Sequence, residues 1–87
     1  NYADAARAET ITITGSELVL RRFRKSTLFE EQRLVSTWTR IDCAHDTERE
    51  LVGPLRLWFK GRAHEIGSFL GADERLALAE HLRRALR

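Results

Sequence analysis

Methionine is absent from this chain, cysteine and proline occur once each, and no stretch approaches the eighteen or so consecutive apolar residues of a membrane-spanning helix. The single cysteine, Cys43, excludes an internal disulfide and with it the stapled architecture of small secreted scaffolds. No basic-then-apolar signal peptide opens the sequence. Because the chain starts at Asn1 and holds no methionine, these 87 residues are expected to be a processed product or an excised piece of a longer protein, soluble as written. Lysine is nearly missing as well: 13 of the 15 basic residues are arginine, the exceptions being Lys25 and Lys60. The net charge of +2 is too small to be a nucleic-acid footprint by itself, so no nucleic-acid partner is expected. Phosphate loops, serine elbows, thiol pairs and zinc-hydrolase motifs are all lacking, so neither an enzyme nor a cofactor is expected.

What is present reads as one small globular domain. Apolar content of 43% beside 32% charged residues separates the chain from disordered compositions. Residues 1–8 show no period that demands packing and are expected to be a lead-in, with the domain running from 9 to 87. From there E-T-I-T-I-T sets Ile11 and Ile13 against threonines, the period-two pattern of a half-buried strand. Thr14-Gly15-Ser16-Glu17 supplies a turn, and L-V-L-R-R-F-R returns as the second strand of a hairpin. Lys25-Ser26 is a polar break. Further strand-like runs follow at 27–35 and 36–43, the latter holding Trp38 and Ile41, and the polar run 44–50 is expected to be a loop. In L-V-G-P-L-R-L-W-F-K, Leu55, Leu57 and Phe59 share one face and Arg56, Trp58 and Lys60 the other. Pro54 cannot donate to a ladder, so this strand is expected to start after it or to run along an edge. Gly61 turns the chain into a short strand over 63–66.

The period changes at Asp73. Leu78, Leu82 and Leu86 recur every four residues, widened by Leu76 and Ala79, which predicts an amphipathic helix over about 72–86. Asp73 and Glu74 stand in its first turn and arginines in its last, as the helix dipole favours. The composite is an α+β fold: a small antiparallel sheet or partly open barrel of five to seven strands, covered by one C-terminal helix.

The segment before that helix, R-A-H-E-I-G-S-F-L-G-A-D-E-R at 62–75, gathers a histidine, carboxylates and two glycines. A catalytic reading would pair His64 with Glu65, yet neighbours on a strand point to opposite faces and do not readily bond. A structural joint accounts for more: Ile66, Phe69 and Leu70 as core anchors, Gly67 and Gly71 as turn points, and Glu74 bonding back to first-turn amides. Cys43 and His45 lie two apart and supply half of a metal site, but His64 and His81 follow no known ligand spacing, so no metal is assigned. The rival to a noncatalytic domain is a small enzyme or metal-binding domain using Cys43, His45 and His64.

Two features suggest contact surfaces. Arg21, Arg22, Arg24 and Lys25 form a basic run around Phe23, able to meet anionic headgroups unless Glu30 and Glu31 neutralise it across a neighbouring strand. Trp58 sits opposite the apolar face of its strand and needs separate cover, under a barrel rim or against a membrane or partner. Self-association through the strand face around Trp58 is the third functional option.

The residues W-T-R-I at 38–41 and E-I-G-S-F-L-G-A-D-E-R at 65–75, followed by the leucine-arginine helix, resemble a bacterial family of predicted integral membrane proteins known as domain of unknown function 2244. The resemblance runs from about Glu9 to Arg87, and its most specific part is 65–75. Family members often place serine-proline before the acidic pair, where this chain has Gly71-Ala72 and therefore no side-chain cap. The resemblance implies a membrane-anchored bacterial protein, with two membrane helices ahead of this region, and Trp38 as a core-associated residue of a strand. The architecture is also similar to pleckstrin-homology-like domains, an analogy that carries no function. The expected role is a noncatalytic interaction module at the inner membrane, on the cytosolic side given the arginine content and free thiol. Its expected partners are an anionic membrane surface or a protein.

Overall fold

The structure, a computed structural model, describes residues 7–87. Among the described residues six strands fold into two antiparallel three-stranded meanders, and one helix follows. The first sheet comprises β1 (Arg7–Ile13), β2 (Glu17–Arg24) and β3 (Thr27–Val35); the second comprises β4 (Arg40–Asp46), β5 (Leu51–Phe59) and β6 (Arg62–Ile66). A 3₁₀ turn over Ser36–Trp38 links them, and α1 spans Ala72–Ala85. The lead-in expected over 1–8 falls outside the described residues as far as residue 6, while Arg7 and Ala8 already open β1.

Alternation accounts for the first sheet. Ile11 and Ile13 stand opposite Leu20 and Leu18, and Leu34 pairs with Leu18 from the other side, so one face collects aliphatic carbon. Leu18 and Leu20 are fully buried there. The turn is closed by Thr14, whose amide donates to the Glu17 carbonyl at 2.8 Å and whose Oγ1 accepts the Glu17 amide at 3.1 Å. The hairpins at Lys25-Ser26 and Lys60-Gly61 both use two-residue loops with both φ positive, at 50° and 65° and at 52° and 73°. That is the twist-compatible hairpin turn, reached here with one glycine among four residues.

β5 is the centre of the second sheet and starts at Leu51, ahead of Pro54, contrary to the expected start after the proline. The ladder itself explains this. β6 first meets β5 at Leu55↔Ile66, so Pro54 has no neighbour on that side, and the β4–β5 register slips between Cys43 and His45 on the other. The freed carbonyls of β5 are taken up by Arg75 of α1, whose Nη2 donates to Val52 O at 2.9 Å and Nε to Gly53 O at 3.2 Å, while its Nη1 donates to Leu70 O, just before the helix, at 2.6 Å. One guanidinium thereby ties the helix to the irregular strand. The expected loop at 44–50 is correspondingly shorter, since β4 continues through Asp46. The expected strand at 36–43 begins only at Arg40.

The core comprises Leu18, Leu20, Leu34, Cys43, Leu55, Leu57 and Ile66 from the sheets and Ala79 and Leu82 from α1. Burying each large aliphatic side chain is worth about 1.5–3 kcal/mol before conformational entropy opposes it. Ala79 rather than Leu78 lies at the centre of the helical stripe, with Leu76, Leu78 and Leu86 packed around it. A side chain this small lets the helix sit close to β4 and β5.

The segment 62–75 is a joint. Gly67 has φ +63°, its carbonyl accepts the Leu70 amide at 2.9 Å, and the chain then enters α1. Glu74 Oε1 accepts the Gly71 amide at 2.9 Å, half of a capping box in which glycine has no hydroxyl to return. Gly71 itself, at φ −71° and ψ 171°, is extended backbone that any residue adopts, so only one of the two glycines is needed for the turn. Ile66 is buried, while Phe69 and Leu70 are half-buried.

Candidate functional site

The basic run divides into two pairs with different surroundings. Arg21 stands opposite Glu31 and donates from Nε to its Oε1 at 2.7 Å. That bond, helped by the charges of Arg33 and Arg21 and opposed by partial desolvation, holds the Glu31 carboxyl below its ordinary value. Arg22 faces inward. Its Nη2 donates to the Glu65 carbonyl, and its Nε lies 3.6 Å from Glu9 Oε2 and 3.7 Å from Glu30 Oε1. Glu9 in turn accepts the Gly67 amide at 2.7 Å, so Arg22 and Glu9 strap the first sheet to the end of β6. Neither Arg21 nor Arg22 is an unengaged cation.

Arg24 and Lys25 are exposed at the β2–β3 tip. The register skips Phe29 between the pairs Arg22↔Glu30 and Phe23↔Leu28, and this bulge leaves Phe29 53% exposed under the Arg24 guanidinium, 5.1 Å from the ring centroid. Exposed Leu28 lies beside it.

Trp58 is on the outer face of β5, flanked in register by Arg40 and Ala63, and is 37% exposed. Arg56 lies 5.9 Å from its ring and 3.2 Å from Asp42, so part of the indole is covered from within the same sheet. The proposed metal-binding trio is not brought together. Cys43 is buried with Sγ 3.9 Å from Gly53 O, His45 is exposed beyond the register slip, and His64 faces inward opposite Leu57. Among the described residues no group of three His, Cys, Asp or Glu side chains could hold a metal ion.

Trp38 departs from expectation most. It is 70% exposed and belongs to the 3₁₀ turn, not to a core strand. The reason lies in its small neighbours. Ser36 Oγ donates to Thr14 O at 3.1 Å, the Ser36 amide donates to Ser16 O at 3.1 Å, and Thr39 Oγ1 donates to Val35 O at 2.8 Å. With Ser36 and Thr39 buried in these bonds, Thr37 and Trp38 are turned outward. The S-T-W-T run carried the signal, since hydroxyls that bond nearby backbone compete with a strand ladder.

Trp38 lines an open cleft of about 430 Å³ with Val35, Phe59 and Lys60. Lys60 Nζ lies 5.4 Å from the Phe59 ring centroid, and Arg62 follows across the hairpin turn. A second cleft, about 280 Å³, is lined by Thr39, Arg40 and Ile41 together with Arg83 from the last turn of α1. Among the described residues none of Arg40, Lys60, Arg62 and Arg83 is within ion-pair distance of a carboxylate, in contrast to Arg21, Arg22, Arg33 and Arg56. Apolar side chains and unneutralised cations thus share one end of the molecule.

No described helix is long and apolar enough to cross a membrane. A protein-family model described as "Integral membrane protein (DUF2244)" matches residues 1–86. Searches of curated proteins and of solved structures return no match.

Proposed function

The chain belongs to this family of integral membrane proteins, whose function is unknown, and from that premise we propose that it serves as a noncatalytic interaction module working against the surface of the membrane that holds the protein. The carrying observation is the set of exposed cations without carboxylate partners that lie next to exposed aromatic side chains, at Trp38 and at Phe29. Cations meet anionic headgroups, and aromatic rings settle at the headgroup level. Two meanders closed by one helix support a pleckstrin-homology-like arrangement as the scaffold of this module. Arginine-rich composition and the free Cys43 thiol favour the cytosolic face of a bacterial inner membrane.

The test is co-sedimentation of the 87-residue chain with anionic or neutral vesicles at low and at high salt. Binding to anionic vesicles that weakens as salt screens the attraction is the expected result. Absence of binding at low salt refutes the proposal and turns attention to protein partners, self-association included.

A further inference from the structure

We propose that the end of the domain built around Trp38 is the face that docks on the membrane, and that its ligand is the anionic phospholipid bilayer itself. This rests on the membrane-surface reading above and assigns that reading to one face. Three features of the Trp38 end carry the assignment.

The first is depth. Trp38 projects from a short turn at 70% exposure, and Val35 and Phe59 beside it line the same cleft. Burial of this apolar cluster in water is incomplete, and an acyl–headgroup boundary completes it. Both ends carry a cation over a phenylalanine ring, Arg24 over Phe29 and Lys60 over Phe59, whereas among the described residues the Trp38 indole has none.

The second is charge. Lys60 lines the cleft, Arg62 lines a neighbouring one that shares Phe59 and Lys60, Arg40 comes two residues after Trp38, and Arg83 of the helix lines a further cleft with Arg40. Each lies outside ion-pair distance of a described carboxylate, so each keeps its attraction for an anionic surface instead of spending it inside the fold. In the basic hairpin Arg21 and Arg22 are taken by Glu31, Glu9 and Glu30, which leaves Arg24 and Lys25 as two cations outside ion-pair distance of a described carboxylate, against four at the Trp38 end.

The third is rigidity. Trp38 sits on a turn held by the buried hydroxyls of Ser36 and Thr39, and Lys60 on a two-residue hairpin loop, so the aromatic and the cations are positioned before contact. A protein held in the bilayer by other segments presents this face at high local concentration, and a weak contact then suffices to set its orientation. Aliphatic Val35 in the lining of the cleft favours lipid over nucleic acid, whose bases stack on aromatic planes.

The experiment measures partitioning of the 87-residue chain onto phosphatidylglycerol-containing and pure phosphatidylcholine vesicles, with circular dichroism confirming that each variant folds. Trp38→Ala is expected to lower the partition coefficient for anionic vesicles at least about tenfold, and Lys60→Gln and Arg62→Gln about fivefold each. Arg24→Gln and Lys25→Gln at the other tip are expected to change it less than about twofold. In a Trp58→Phe background, the fluorescence of Trp38 shifts to the blue on anionic vesicles and stays unchanged with phosphatidylcholine. If the unsubstituted chain binds anionic vesicles but Trp38→Ala and Lys60→Gln bind as tightly, this face is overturned and the membrane-surface reading survives. Equal binding to neutral vesicles overturns the anionic ligand. If the unsubstituted chain fails to bind anionic vesicles at low salt, both the reading and the inference are overturned.

Discussion

Replacing Gly67 by alanine should destabilise the fold by about 1.5–3.5 kcal/mol, a sum of two separable costs. Gly67 lies at φ +63°, where an L side chain costs roughly 1–2 kcal/mol. A Cβ there would also come within 2.9 Å of Leu70 Cδ1 and 3.4 Å of Leu70 Cγ. Leu70 is half-buried, so its methyl can rotate away, toward the point where Leu78 Cδ2 lies 3.8 Å from the same Cβ, at a further cost of about 0.5–1.5 kcal/mol for an off-rotamer side chain. The two costs divide against Gly61→Ala, because Gly61 has φ +73° and nothing within 4 Å of an added Cβ. That variant carries the backbone cost alone. Gly71→Ala carries neither, since φ there is −71° and the nearest atom is Glu74 Oε1 at 3.4 Å, and it should fall within about 0.5 kcal/mol of the parent. Urea unfolding followed by circular dichroism, with m-values compared across the series, is the assay. Thermal midpoints should fall in the order Gly71→Ala, Gly61→Ala, Gly67→Ala, with about 4–8 °C for each kcal/mol. Equal losses at 67 and 71 would refute the assignment of the turn to a left-handed glycine, and equal losses at 61 and 67 would refute the Leu70 contact.

Two further outcomes follow from side-chain bonding. Arg75→Ala should cost about 1–3 kcal/mol, because it strips the partner from partly buried carbonyls of Val52, Gly53 and Leu70; Arg75→Lys should recover little, since an ammonium lacks the planar fork that reaches all three, and chemical denaturation distinguishes the two. Glu31, held below its ordinary pKa chiefly by the Arg21 hydrogen bond, contributes stability that is present above the unfolded-state value and is lost as pH falls through the lower folded-state value. An NMR titration of its side-chain carboxyl should therefore show a depressed midpoint that moves back up in Arg21→Ala, and an unmoved midpoint would remove Arg21 as the cause.

The elements with a local signature were legible before any coordinates. E-T-I-T-I-T and its returning strand, the strand at Thr27–Val35, the split faces of β5 and the helix at Ala72–Ala85 all follow from period and turn chemistry within about ten residues. Neutralisation of the basic run by Glu30 and Glu31 was open in the sequence, and only the bulge at Phe29 decided it, since an unbroken register from the two-residue loop would set Arg22 against Phe29 and Arg21 against Glu30. The candidate site was legible only in part. A local charge run marks the basic residues and strand alternation marks Trp58, whereas nothing in the sequence joins Trp38, Lys60 and Arg62 into one surface. Trp38 is separated from Phe59 and Lys60 by more than twenty positions of sequence, and no spacing rule links them.

The sequence by itself determined the alternating strands, the turns between them, the amphipathic helix and the class of fold, since each is a matter of near-neighbour backbone preference and of which side chains avoid water. Tertiary structure alone decided which way the ambiguous residues face. Trp38 points to solvent because Ser36 bonds to Thr14 and Ser16 of a distant turn and so breaks the strand's two-residue phase. Pro54 sits inside a central strand because β6 stops short of it and Arg75 reaches its neighbours' carbonyls. Arg22 turns inward because Glu9 and the end of β6 meet it there. In each case the partner lies far along the chain, and its hydrogen bond overrides a local preference worth only a fraction of a kcal/mol to about one.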